Sequence, residues 1–455
     1  MADLAGIDQD RVRALQESEN ARFVNERPRS MKLWERARRS MPRGVPMAWM
    51  DDLYDHPPAW VSAGEGATFT DVDGHTYLDM YIADMSAFCG HAPQAVTDAV
   101  AERMKLGNQF LLPGEDAIVV AEHLAGRYGL PKWQFTLSGT QANTEVIRLA
   151  RALTGRDVVL VFDGKYHGEG DTTLVIEDGG RVVPEQPGLP PWVADGARIV
   201  QFNDIAALEA ALAPGDVALV LAEPAMTNAG FILPRPGYHA ALRRATRETG
   251  TLLALDEVHT LVCAYGGLTN DWGLEPDFLT VGKSIAAGVP LAAYGMRDDI
   301  AVAIAPPAEA RVVSGAFVNE VPTGGTLFAN ALSMAAGRAA LVDVLTEGAF
   351  AQTATLGEHM AAGLQSAIGG AGLRWSVVQH GAHASYFFTP EAPRDGAGSR
   401  DADDPALRAL IRVYMANRGI WESGWWLGPT VSIAHEPTDV DRYVGLFEEF
   451  LGAVT

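Results

Sequence analysis

Lys283 ends a short apolar run, DFLTVGK, and stands between Gly282 and Ser284. A lysine in such a place is ordinarily solvated, but a desolvated one loses its proton and can form an imine with a carbonyl compound. Upstream, TLLALDEV carries Asp256 and Glu257 directly after apolar residues. An acid at the end of a buried strand is costly unless paired, so a cationic partner is expected; a pyridinium nitrogen or an ordinary arginine would serve. A third segment, WQFTLS, runs into Ser138-Gly139-Thr140-Gln141-Ala142. Small residues opening a helix offer N–H groups to an anion such as phosphate, although the same pattern also makes a plain helix cap. A fourth, DVVLVFDG, ends in Lys165-Tyr166-His167-Gly168, where an aromatic can lie on a planar ring or merely pack at a rim. Each segment alone has the ordinary structural reading as the better one. Their order and spacing, each with a strand ahead of it, reverse that preference.

Four such junctions work together only if one sheet aligns them, because open α/β sheets bind ligands beyond the carboxyl ends of their strands. The β-rich runs WQFTLS, DVVLVFDG, DVALVLAEP, TLLALDEV, DFLTVGK and PLAAYGM alternate with helical stretches at 141–154, 204–213 and 236–249. That alternation predicts an α/β fold with a mostly parallel sheet covered by helices on both faces. Residues 11–40 read as helix, stopped by Pro42-Arg43-Gly44, and Trp60 to Tyr81 read as a hairpin-like run around glycine turns. From about Ala335 the chain returns to helix, then a strand pair and a closing amphipathic helix. We therefore expect residues 1–75 to begin a small domain, 76–335 to form the large one, and 336–455 to complete the small one. The stretch 391–404, EAPRDGAGSRDADD, reads as a solvated surface loop.

The totals narrow the classes. A chain of 455 residues exceeds one compact core, and a net charge of −22 argues against nucleic-acid partners and anionic membranes. Two cysteines make neither a disulfide framework nor a metal cluster, so no metal site is expected. No apolar run is long enough to span a bilayer, and the polar, acidic start lacks the marks of a leader, which points to the cytoplasm.

Five motifs in order, LSGTQANTEVIRLAR, FDGKYHG, LALDEVHT, TVGKSIAAGVPLAAYG and GGTLFANALSMAAG, resemble those of the fold-type-I, class III aminotransferases. The resemblance covers about residues 30–450 and includes GEGATFTDVDGHTYLDMY followed by GHAP. It implies pyridoxal 5′-phosphate (PLP) as cofactor, a seven-stranded large domain, and a smaller α+β domain built from both chain ends. By that resemblance Lys283 is the Schiff-base lysine and proton shuttle, and Asp256 pairs with the pyridine nitrogen. Val258 and Tyr166 border the two ring faces, and Gly139 and Thr140 hold the phosphate. Thr326 reaches the phosphate of a neighbouring subunit, which implies a homodimer with shared sites. Glu223 lies near the ring, and His259 either donates to the cofactor's 3-oxygen or simply packs.

Within the class the chain looks closest to the group of glutamate-1-semialdehyde aminomutase and the β-phenylalanine and D-phenylglycine aminotransferases. Asn228 stands where ornithine- and GABA-type relatives usually carry Glu. Relatives that grip a carboxylate often have an arginine just after the Gly-Val of the early segment, where this chain has Met47, Ala48 and Trp49. A buried carboxylate without such a partner would cost several kcal/mol. Trp49, Trp421, Trp425 and Trp426 crowd the corresponding segments, so an apolar, aryl-accepting pocket is expected, with core packing as the alternative. Met85, Ser86 and Phe88 sit where the family lines its substrate site, and Arg43 is the first candidate for a weak carboxylate anchor. The leading expectation is a transaminase acting on small amines or amino acids and ketones or keto acids. The alternatives are an aminomutase or racemase on the same lysine, or a non-catalytic protein of the same fold.

Overall fold

The computed structural model describes residues 2–304, 321, 323–422 and 427–455. They form two compact units, one of residues 1–93, 348–393 and 398–455, the other of residues 94–347 and 394–397. The changeovers thus fall later than the 75/76 and 335/336 positions expected. At the first, the strand Thr76–Asp79 pairs with its neighbour Thr68–Asp71 and so stays with the first unit. At the second, the helix Ala331–Ala339 packs on Gln94–Leu106 and Glu115–Tyr128 and so stays with the second.

In the first unit the expected helical region is two helices, Gln9–Glu26 and Pro28–Ala37, because Pro28 has no N–H to continue the first. Arg27, at the break, is buried and donates to the Tyr77 hydroxyl (2.7 Å), the Phe23 carbonyl (3.0 Å) and Asn417 Oδ1 (3.1 Å), with the Asp71 carboxylate 3.6 Å away. Strands β1 (Val61–Glu65), β2 (Thr68–Asp71) and β3 (Thr76–Asp79) form the antiparallel meander that the glycine turns predict.

The second unit holds a seven-stranded sheet, in line with the expected fold. Its strands are β4 (Lys132–Thr136), β5 (Val158–Phe162), β8 (Ala197–Val200), β9 (Val217–Ala222), β10 (Leu252–Asp256), β11 (Phe278–Val281) and β12 (Ala292–Met296). The hairpin β6 (Val175–Asp178) and β7 (Arg181–Pro184) lies outside it. The order is β4-β12-β11-β10-β9-β5-β8, and β12 alone runs against its neighbours. Side chains alternate across a strand, so Leu219 and Leu221 enter one core with Val146, Leu149 and Ala150 of the helix Gly139–Thr154. Val220 and Ala222 enter the other with Tyr238 and Leu242 of Tyr238–Thr249. With both faces covered, β9 is buried at every residue, which explains its unbroken apolar run. The edge strand β8 and the hairpin are absent from the runs read in the sequence, being only four residues each and interrupted by charged ones.

The chain closes the first unit with β13 (Ser376–His380) antiparallel to β14 (His383–Phe387), β15 (Ile420–Trp421) parallel to β3, and the helix Pro437–Val454. The stretch 391–404 is not simply a solvated loop: it contains the helix Gly396–Asp401, and Gly396, Ser399 and Ala402 are buried. A Cβ on Gly396 would stand 2.3 Å from the Asp163 carbonyl oxygen, so the backbones there meet with no side chain between them. No helix among the described residues is long and apolar enough to cross a membrane.

Candidate active site

The carboxyl ends of the parallel strands bring together residues far apart in sequence. Asp256 ends β10, opposite Thr280 of β11. Its Oδ2 accepts from Asn143 Nδ2 (2.7 Å) and from His167 Nδ1 (2.8 Å), and its Oδ1 accepts from the Val258 N–H (3.0 Å). Asn143 also donates to the His167 carbonyl (3.1 Å), while the Thr280 hydroxyl donates to Asn143 Oδ1 (2.9 Å). Burial alone would push the Asp256 carboxyl up. The hydrogen bond and charge of His167, the Val258 N–H and Asn143 outweigh it and hold the carboxyl below its ordinary range. Asp256 is therefore a buried anion with one lone pair to spare, suited to a cationic N–H.

Two glycines let these junctions approach each other. A Cβ on Gly139 would lie 2.9 Å from Val258 Cγ2. Gly168 has φ +88°, and its Cβ would fall 2.2 Å from Thr140 Oγ1. The loop carrying Tyr166 is thereby laid against the start of the helix Gly139–Thr154, where the Glu169 N–H donates to Thr140 Oγ1 (3.1 Å). Ser138 caps that helix by accepting from the Gln141 N–H, which leaves those of Gly139 and Thr140 for an anion. Tyr166 is exposed, with its hydroxyl bonded to Glu169 Oε1 (3.0 Å).

Lys283 lies two residues past the end of β11 and adopts φ +52°, a left-handed conformation costing roughly 1 kcal/mol or more for a side-chain-bearing residue. Val258, expected on the same strand as Asp256, lies just past its end, where the bond to Asp256 turns the chain. Glu223, just after β9, is buried, accepts from the Thr227 N–H (3.1 Å) and hydroxyl, and is influenced by Asp256 and Lys283. His259 Nδ1 lies 2.6 Å from Thr227 Oγ1. Glu257 is a separate matter: fully buried, it accepts from the Thr260 hydroxyl and the Thr269 N–H, a structural role. Thr326 stands elsewhere on this unit, in an exposed turn whose carbonyl accepts from Gln109 Nε2.

Arg43, Trp49, Met85 and Ser86 belong to the first unit. Arg43 has φ +59° and donates to the Asp52 carboxylate, and Trp49 is exposed. Met85 is fully buried, and the Ser86 hydroxyl donates to the Ala83 carbonyl (2.6 Å). Ile82, Ala83, Asp84 and Met85 all have positive φ, a left-handed turn held at its start by the Asp79 carboxylate, which accepts from the Tyr81 and Ile82 N–H groups. Trp421, partly buried, packs in an aromatic cluster with Tyr54, Phe69 and Tyr77. Trp425 and Trp426 lie outside the described residues.

His167, Asn143, Thr227 and Thr280 received no site role from sequence. Asn143 had a usable signal: four residues after Gly139, it lies one helical turn on and on the same face. The others depend on contacts that only the folded sheet creates.

The residues present fit PLP: a buried anion for a ring nitrogen, a lysine just past the neighbouring strand, a helix start for phosphate, and glycines that let these junctions come close. A mostly parallel seven-stranded sheet with these junctions at its strand ends defines a PLP-dependent enzyme of fold type I. The family model for class-III aminotransferases matches residues 50–371, and the chain belongs to that family. It is 34% identical to the glutamate-1-semialdehyde 2,1-aminomutase of Anaeromyxobacter dehalogenans over 424 residues, covering 91% of this chain and 96% of that protein. The crystal structure of a glutamate-1-semialdehyde-aminomutase from Pseudomonas aeruginosa PAO1 superposes with TM-score 0.93 at 39% identity, covering 99% and 100% of the two chains; a lysine-to-alanine variant of it was solved in complex with PMP. A β-phenylalanine aminotransferase from Variovorax paradoxus gives 0.86 at 28%, covering 97% of each chain. These likenesses favour the aminomutase alternative over the transaminase expectation.

Proposed function

We propose that the chain is a PLP-dependent aminomutase, moving an amino group between neighbouring carbons of one small substrate. The observation that carries this reading is the full-length similarity to glutamate-1-semialdehyde aminomutases, 39% identical with TM-score 0.93 in one solved case. When bound, the cofactor supplies an electron sink for charge developing at the substrate carbon. Lys283 Nζ holds the cofactor and moves a proton to and from that carbon. Asp256 keeps the ring nitrogen protonated, and His167 and Asn143 hold Asp256 ionised and oriented. Gly139 and Thr140 bind the phosphate; Thr140 Oγ1 already accepts from Glu169, so its hydroxyl hydrogen is available to donate. Val258 and Tyr166 border the ring, with Glu223 and His259 near its edge.

The working unit in this reading is a homodimer in which Thr326 completes the phosphate site of the second copy. Its support is the exposed turn at Thr326, tied by Gln109 to a segment that leaves Leu106, Phe110, Leu111 and Leu112 more than half exposed. So many large apolar side chains on one surface segment favour a partner.

Transamination of apolar or aryl amines is the second reading. One observation favours it: Arg43, the first candidate for a substrate carboxylate, is already engaged by Asp52, while Trp49 nearby in sequence is exposed. The deciding experiment supplies glutamate 1-semialdehyde to the purified holoenzyme with no second amine or keto acid. Conversion to the isomer carrying its amine on the neighbouring carbon supports the aminomutase. No isomerisation, together with bleaching of the cofactor band by an arylalkylamine and release of stoichiometric ketone, selects the transaminase.

A further inference from the structure

Beyond the strand ends of β9 and β10 runs a chain of three side chains: Glu223, Thr227 and His259. Glu223 Oε2 accepts from the Thr227 N–H at 3.1 Å and is bonded to the Thr227 hydroxyl, and Thr227 Oγ1 lies 2.6 Å from His259 Nδ1. Glu223 and Thr227 are buried, whereas His259 keeps some exposure at the strand ends. A hydroxyl has one hydrogen and here two partners, so the two bonds cannot be set independently.

With Glu223 ionised, the carboxylate can only accept. Thr227 must then donate to it, and Thr227 Oγ1 can only accept from His259, which places a proton on Nδ1 and, in a neutral ring, a lone pair on Nε2. With Glu223 protonated, the carboxyl can donate to Thr227 Oγ1. The Thr227 hydrogen is then released toward Nδ1, and the ring proton moves to Nε2. We propose that Thr227 is a one-hydrogen relay that couples the protonation of Glu223 to the tautomer of His259, and so sets whether Nε2 donates or accepts at the ring edge of the cofactor. The relay itself stands on the three side chains; its bearing on the cofactor rests on the reading of the site given above.

The surroundings put this switch within working range. Burial pushes the Glu223 carboxyl up to about 8, against the lowering effect of its bonds to Thr227. The charged groups facing it from neighbouring strands are Asp256, at the end of β10, which raises it further, and Lys283, after β11, which lowers it. Thr227 and His259 are therefore positioning residues, acting on the cofactor through the direction of a hydrogen bond.

The test uses full-length protein labelled with ¹³C and ¹⁵N in its 11 histidines, cofactor-free, with His259 identified by the signal lost in His259→Gln. Between about pH 6.5 and pH 9 its ¹⁵N shifts should pass from the Nε2–H to the Nδ1–H tautomer, with a midpoint near that of Glu223. Thr227→Ser, which keeps the hydroxyl, should preserve the transition, whereas Thr227→Val and Glu223→Gln should abolish it. A transition that persists in Thr227→Val, or a single tautomer throughout in the parent, overturns the relay. Added PLP should displace the midpoint in the parent, and unchanged His259 signals in a PLP-saturated sample overturn its link to the ring. Failure of the cofactor reading itself shows separately, as borohydride reduction of the PLP-saturated parent that leaves no cofactor attached at Lys283.

Discussion

His167 and Asp256 stand 89 residues apart in the chain and share a 2.8 Å bond between Nδ1 and Oδ2, in a place where neither side chain reaches solvent. The bond supplies much of what keeps the carboxyl ionised against its own burial. His167→Leu should therefore let Asp256 take up a proton, and weaken PLP binding by about tenfold or more, equivalent to ~1.4 kcal/mol. Equilibrium dialysis of PLP against parent and variant measures this, and an unchanged Kd would remove His167 from the site.

Asp256 and Glu257 are adjacent acids with separate tasks, and isosteric amides should separate them. Asp256→Asn removes the charge proposed to face the ring nitrogen and should lower turnover on the order of 100-fold, with little change in Tm. Glu257→Gln disturbs a buried carboxyl that accepts from Thr260 and Thr269, and should lower Tm while the folded fraction keeps most of its turnover. Thermal melts and kcat on the same preparations check both halves.

Gly168→Ala should uncouple the Tyr166 loop from Thr140 and the proposed phosphate site. At φ +88° the new methyl would stand 2.2 Å from Thr140 Oγ1, and neither backbone can yield without losing the Glu169 to Thr140 bond. A loss of PLP affinity exceeding that of Tyr166→Phe is expected from fluorescence titration.

Mixing two inactive proteins tests the shared site. Lys283→Ala chains retain Thr326, and Thr326→Ala chains retain Lys283, so a hybrid dimer would contain one intact site. Activity should reappear after the two are unfolded and refolded together, and should stay absent when each is refolded alone. Failure to recover activity in verified hybrid dimers would show that Thr326 does not serve the second copy.

Glu422, buried in the first unit and accepting from the Tyr386 hydroxyl (2.7 Å), gives a pH dependence of stability. Burial, the main cause, pushes its carboxyl up to about 7 from an ordinary 4.5. Across that window the fold retains a proton that the unfolded chain releases, so stability present at low pH is lost as pH rises toward 7. Glu422→Gln keeps an acceptor for Tyr386 and cannot ionise. Its stability relative to the parent should grow between about pH 5 and pH 8, by on the order of 3 kcal/mol, in denaturant melts at each pH.

The chain by itself determined the strand–helix order, the segments that end in Lys283, Asp256, Tyr166 and Gly139, and the resemblance that joins them. These are local properties: apolar runs, glycine turns and caps are written in consecutive residues, and the order of junctions survives any detail of packing. Which side chains meet beyond the strand ends was decided by the tertiary structure alone. Asn143 reaches Asp256 across 113 residues because its helix packs on the sheet, and Thr227 reaches His259 across 32 because β9 and β10 pair in register and bring their ends together. The same holds for burial. Glu257 and Asp256 look alike in sequence, yet one is fixed by Thr260 and Thr269 and the other faces His167. Trp421, equal on paper to the other tryptophans, is claimed by Tyr54, Phe69 and Tyr77. A residue type states what a side chain can do, while the hydrogen bonds it finally makes depend on groups that only the closed fold places within about 3 Å.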